Sequence, residues 1–176
     1  MSNMLLEKVE YKTEVTALGT WKRHVYPDGR RFAEFRSHVD VYGWPLLHYT
    51  YGICPETGRH VVARGVIAVG RIAVGVVALG HVAAGLVAVG QGALGIALGL
   101  GQAASGWWCI GQLALGGAFG LGQLATGATA IGQLALGTFV LAQAGWGAHV
   151  WAPGHADPAA VEHFRALLNA VAALFG

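Results

Sequence analysis

The chain has 176 residues, 55% of them hydrophobic and only 11% charged, with a net charge of +2 at neutral pH. That is one domain's worth of chain, and so small a net charge does not imply a nucleic-acid partner. The charge is also unevenly placed. Residues 1–64 hold nine Lys/Arg and seven Asp/Glu, whereas no Asp, Glu, Lys or Arg lies between Arg71 and Asp157. Soluble surfaces usually carry charge on about a quarter to a third of positions. The body of this chain is therefore covered by lipid or by other copies, or it relies on Gln and backbone for solubility.

Residues 1–64 are expected to form a β-rich N-terminal cap. The start, Met-Ser-Asn-Met-Leu-Leu-Glu, has no basic region followed by an apolar run, so no secretory signal is expected. Leu6–Val15 alternates charged and apolar residues, the period of a half-buried strand. Tyr26-Pro-Asp-Gly-Arg30 reads as a turn, because Pro presets the first corner and Gly takes a positive φ. It joins Trp21–Val25 to Arg31–Tyr42. A further strand pair, Trp44–Tyr51 with His60–Ala63, is expected across Cys54-Pro-Glu-Thr-Gly58. Two cysteines, Cys54 and Cys109, make no disulfide framework, which places the chain in a cytoplasmic or membrane-associated setting.

From Gly65 to Trp151 one phrase recurs: Gly65-Val-Ile-Ala-Val, Gly70-Arg-Ile-Ala-Val, Gly75-Val-Val-Ala-Leu, and so on to Gly147-Ala-His-Val-Trp151. Each unit has Gly first, a variable residue second, then an apolar residue, usually Ala, and another apolar residue. A period of five does not suit an α-helix, where the glycines would smear around the axis and each costs about 1 kcal/mol. It suits a short strand plus a corner, with the third and fifth residues on one side of the strand. Such units wrap into a β-solenoid whose coils satisfy one another's backbone.

Two units carry an extra residue, Gly95-Ile-Ala-Leu-Gly-Leu100 and Gly116-Gly-Ala-Phe-Gly-Leu121, and their first glycines lie 21 residues apart. In a four-sided coil these insertions stack on adjacent coils. In a two-sided coil of ten residues they fall on every second rung, with a tight rung between. The regular stacking favours four sides, giving about four coils of 20–21 residues. The second positions then sort into an apolar interface column of Val66, Leu86, Trp107 and Ala128, and a column of Val76, Ile96, Gly117 and Thr138. Between them run two polar ladders, Arg71, Gln91, Gln112 and Gln133 on one side and His81, Gln102, Gln123 and Gln143 on another. Stacked amides in such a ladder can hydrogen-bond along the coil axis.

Over residues 65–151 the five-residue period resembles the pentapeptide-repeat proteins. The resemblance implies a right-handed four-sided β-helix with two inward side chains per unit. It is architectural: that family favours Ala-Asp/Asn-Leu followed by two polar residues, where this chain has Gly and Ala. The Gly-Val-Ile-Ala-Val-Gly phrasing also resembles uncharacterised bacterial proteins with hydrophobic, glycine-punctuated repeats. The resemblance implies a fold and no activity.

Residues 152–176 are expected to close the other end. Asp157 reads as an N-cap with Pro158 at the first helical position. Val161, Phe164, Leu167, Leu168, Val171, Leu174 and Phe175 recur at helical spacing. The expected element is an amphipathic helix over 157–175, folded back on the last coil. A membrane-surface helix is the alternative, but the polar face offers only Glu162, His163, Arg165 and Asn169 where lipid-binding helices carry several Lys/Arg.

No residue is assigned a catalytic, cofactor-binding or metal-binding role. Among the eight histidines, His48 and His60 are the two that strand pairing could bring toward Cys54. His81 fills a slot otherwise held by Gln or Arg, and Cys109 reads as a small packed residue. The body has no paired acids for general acid–base chemistry, and Gly-x-Gly matches such as Gly99-Leu-Gly101 are products of the repeat. The expectation is an all-β, non-enzymatic structural or assembly protein whose hydrophobic solenoid associates with membrane or with copies of itself.

Two other readings differ from it. One is a membrane-embedded protein, either a lipid-facing solenoid or four Gly-rich transmembrane helices, including a pore. The other is a soluble recognition module that binds a partner protein or ice. Some pentapeptide-repeat proteins resemble duplex DNA and bind topoisomerases, but that mimicry needs an acidic flank absent here. An ice-binding face favours Thr rows, and Thr126, Thr129 and Thr138 are scattered. No nucleic acid and no small-molecule substrate is expected as partner.

Overall fold

The computed structural model describes residues 9–175. The protein is mostly β, with one helix at its C-terminal end. It divides into two compact units, Met1–Gly85 and Leu86–Gly176, the boundary falling inside the repeat.

In the first unit an antiparallel meander leads into the repeat. Strand β1 (Lys12–Val15) pairs with β2 (Gly19–Val25), β2 with β3 (Arg31–Ser37), and β3 with β6 (Leu47–Tyr51). A small hairpin of β4 (Asp40–Val41) and β5 (Trp44–Pro45) lies between β3 and β6. The expected turn after β2 is present: Tyr26 and Arg30 close it by a 2.9 Å backbone bond, and Gly29 has φ +83°. The expected strand over Leu6–Val15 is shorter and less buried. Leu6, Glu7 and Lys8 lie outside the described residues, and all four residues of β1 are exposed because it is an edge strand. Phe32 and Phe35 of β3 are buried, and Trp21 packs 4.9 Å from Phe35.

The expected pairing of Trp44–Tyr51 with His60–Ala63 is not formed. Strand β6 runs parallel to the start of β7 (Val62–Ala152), with Leu47 opposite Ile67 and Tyr49 opposite Val69. A parallel pair needs a crossover, and residues 52–66 supply it. The Cys54–Arg59 turn within that crossover is held by Cys54 N–H to Arg59 C=O and Gly58 N–H to Cys54 C=O, each 2.8 Å.

Strand character continues through the repeat as far as Ala152, which rules out the variant with four Gly-rich membrane helices. Burial follows the pentad. In the first unit the alanines at its fourth position, from Ala63 to Ala83, are 0–1% exposed. In the second unit the same slot is held by Ala88, Ala93, Ala104, Cys109, Ala114, Ala125, Ala130, Ala135 and Val140, all buried, whereas Leu98 and Phe119 of the two six-residue units are half-buried. In the five-residue units from Gly65 to Leu141 one side chain per unit is fully inside. The third and fifth residues therefore share the outer side of the strand.

The register of backbone contact differs from the four-sided expectation. In the first unit a methyl group at Gly75 would overlap the carbonyl oxygen of Gly65, and one at Gly85 that of Gly75. In the second unit the same holds for Gly111 on Gly101, Gly132 on Gly122 and Gly147 on Gly137. Those partners are ten residues apart. Across the two six-residue units the spacing becomes eleven, Gly101 on Gly90 and Gly122 on Gly111. A coil of 20–21 residues would bring neither pair together.

The two six-residue units adopt the same local bulge. Gly95 lies against Leu98 and Gly99 against Ser105, and Gly116 and Gly120 repeat this with Phe119 and Thr126. The five-residue unit Gly106–Ile110 lies against the first of these bulges, where a methyl group at Gly106 would meet the Gly95 carbonyl oxygen at 2.9 Å.

Helix α1 (Pro158–Phe175) begins as expected. Asp157 accepts the Ala159 N–H at 2.8 Å, after a tight return in which β8 (His155–Ala156) pairs with Trp151 and Ala152. Only its first half packs. Ala160 and Phe164 are buried, whereas Leu168, Val171 and Leu174 are exposed.

Candidate interaction surface

The alternation of a strand sends side chains to opposite faces. With Ala inward at the fourth position, the larger apolar residues at the third and fifth positions have only the outside. In the second unit this leaves Leu94, Trp108, Ile110, Leu115, Leu136 and Trp146 exposed.

From Arg71 onward the second position of the pentads is exposed. Members of the two polar ladders expected on separate sides, Gln133 of one and Gln123 and Gln143 of the other, line the same groove. Gln123, Gln133 and Gln143 line a single open groove of about 380 Å³, together with Ile131, Leu141 and Pro153. Gln91, Gln102 and Gln112 are exposed at the equivalent positions of the preceding coils. In the first unit Arg71 and His81 hold that position, and Arg71 donates to His60 Nε2 at 3.0 Å.

Of the expected apolar interface column, Leu86, Trp107 and Ala128 of the second unit are exposed, as are Ile96, Gly117 and Thr138. The Trp107 indole lies over Gly117, where an added methyl group would meet its ring at 2.9 Å. Trp107 remains 62% exposed and Ile96 74%. In the first unit Val66 is half-buried and Val76 exposed.

Part of one outer face in the second unit is covered by α1. Thr129, Phe139 and His149, third-position residues ten apart, form a row. His163 of the helix stacks on Phe139 at 4.1 Å and bonds Thr129 at 2.9 Å. His149 stacks on the same ring at 5.1 Å and donates from Nδ1 to Asp157 at 3.1 Å. That bond, with the Ala159 N–H, holds the Asp157 carboxyl below its usual value. The row was not legible as a site because its members are ten residues apart, a spacing that means nothing until the coil length is known.

His48, Cys54 and His60 do not converge. His48 is buried, accepts the Arg64 N–H at Nδ1 (2.9 Å) and meets Glu34 from Nε2 (3.1 Å). The hydrogen bond from His48 holds the Glu34 carboxyl below its usual value against the opposing effect of burial. His60 donates from Nδ1 to the Gly52 carbonyl at 2.9 Å. Burial alone would push the Cys54 thiol up, but the backbone N–H of Thr57, its hydroxyl and the N–H of Glu56 bring it below the usual value. Burial pushes the Cys109 thiol up. Among the described residues no group of three His, Cys, Asp or Glu side chains is placed to hold a metal, and no helix is long and apolar enough to cross a membrane.

No protein-family model, no curated protein and no solved structure matches the chain.

Proposed function

We propose that the repeat in each unit is a two-sided β-solenoid with ten-residue coils, and that the protein is a non-enzymatic structural or assembly protein. Its uncharged solenoid surface associates with a membrane or with further copies of the chain. One observation carries this reading. The interior of the repeat is a file of alanines, so the Val, Ile, Leu and Trp side chains are displayed outward in a stretch without charge from Arg71 to Asp157. Contiguous exposed apolar surface beyond a few hundred Å² on a soluble protein marks a partner or a membrane.

The test is fractionation of cells making the full chain, followed by sedimentation of the detergent-free protein. The reading expects the protein in the membrane pellet or in large homo-oligomers. A monodisperse monomer in the soluble fraction contradicts it.

A further inference from the structure

We infer that the partner of the second unit is a lipid bilayer, entered edge-first. The edge of Leu86, Ile96 and Trp107 lies among the acyl chains, and the Gln edge stays in water. The inference rests on the membrane arm of the reading above and adds an orientation to it.

Three observations favour lipid over a second copy. First, polarity is sorted across the coil: one edge of the second unit presents six glutamines, and the other begins Leu86, Ile96, Trp107. A body that is polar on one edge and apolar on the other suits a lipid–water boundary. Second, the apolar edge is uneven, because Trp107 leans over Gly117 as a ridge and the edge then falls away to Ala128 and Thr138. A second copy in the same register would set ridge on ridge, whereas acyl chains conform to the step. Third, the distal half of α1 is also uncovered and uncharged. Arg165 is the last charged side chain of the chain, and beyond it Leu168 and Leu174 are 64% and 80% exposed.

The chemistry of the partner follows from the missing charge. Binding to anionic headgroups needs clustered Lys/Arg, and the second unit has only Arg165. Vesicles of phosphatidylcholine alone therefore suffice, and added salt does not release the protein.

The experiment uses the full chain with Cys54→Ala and Cys109→Ala, and a single fluorophore on either Trp107→Cys or Gln112→Cys. The variants are mixed with phosphatidylcholine vesicles carrying an acyl-chain nitroxide, and a second sample receives a water-soluble quencher. The 107 probe is expected to be quenched by the lipid nitroxide and the 112 probe by the aqueous quencher. In flotation, Trp107→Glu weakens binding at least about tenfold, whereas Gln112→Glu leaves it unchanged with the same circular dichroism. Bound protein with the two quenching patterns equal or reversed overturns the orientation and leaves membrane association standing. Large homo-oligomers that do not float overturn the lipid partner and leave self-assembly standing. A soluble monomer overturns both readings.

Discussion

Alanine at the fourth position of the pentad inverts the usual relation between residue size and burial. Ala114 is fully buried while Leu115 beside it is 47% exposed. The ordinary expectation for core substitutions is reversed accordingly. Ala114→Leu adds three carbons to a slot that faces other buried alanines, and overpacking of that kind costs about 3 kcal/mol or more. Leu115→Ala gives up only half-exposed surface and costs under about 1.5 kcal/mol. Urea midpoints of the two variants check this, and a larger loss for Leu115→Ala would place the interior elsewhere. Cys109 occupies the same slot with its thiol pushed up by burial, so it resists alkylation until the protein unfolds. Gly111 lies against the Gly101 carbonyl. Gly111→Val is expected to cost about 1–3 kcal/mol or more, read as a lowered melting temperature.

The individual elements differ in how much of them the sequence disclosed. The Tyr26–Arg30 turn and the Asp157–Pro158 helix start rest on local chemistry, a glycine at positive φ and a capping carboxylate, and both are where the residues put them. The pairing of β6 is a tertiary outcome. Its partner, Ile67–Val69, lies beyond a crossover, and nothing in Leu47–Tyr51 names it. How far α1 packs was not legible, because helical spacing marks an apolar face without saying how much of it finds a surface. The elements are also tied by two carboxylates with a pH signature. Glu34 joins β3 to β6 through His48, and Asp157 joins the helix start to His149. Both carboxyls are held below their usual values. Their contribution is thus present above the ordinary carboxylate range and is lost as pH falls through the lowered folded-state values. Melting temperature is expected to fall on acidification from about pH 5 to about pH 3, and Glu34→Gln should flatten that fall. An unchanged slope in Glu34→Gln contradicts the assignment.

At the scale of the molecule, the pentad and the charge gap were enough to read a repetitive β body with an apolar outside. The alternation of polar and apolar second positions was also plain: Arg71, His81 and the glutamines on one count, Val66, Val76, Leu86, Ile96 and Trp107 on the other. The 21-residue interval between Gly95 and Gly116 favours four sides, because the two insertions then stack on adjacent coils, and a sequence does not state how wide its interior is.

The ten-residue register is open to one direct measurement. Adjacent strands of a sheet lie about 4.8 Å apart, and a disulfide closes only when its Cα atoms are within about 7 Å. In a background with Cys54→Ala and Cys109→Ala, the pair Gln123→Cys with Gln133→Cys is compared with Gln112→Cys with Gln133→Cys under mild oxidation. The account predicts rapid intramolecular cross-linking of 123 with 133 and none of 112 with 133. Cross-linking of 112 with 133 while 123 and 133 stay reduced would restore the four-sided coil and contradict it.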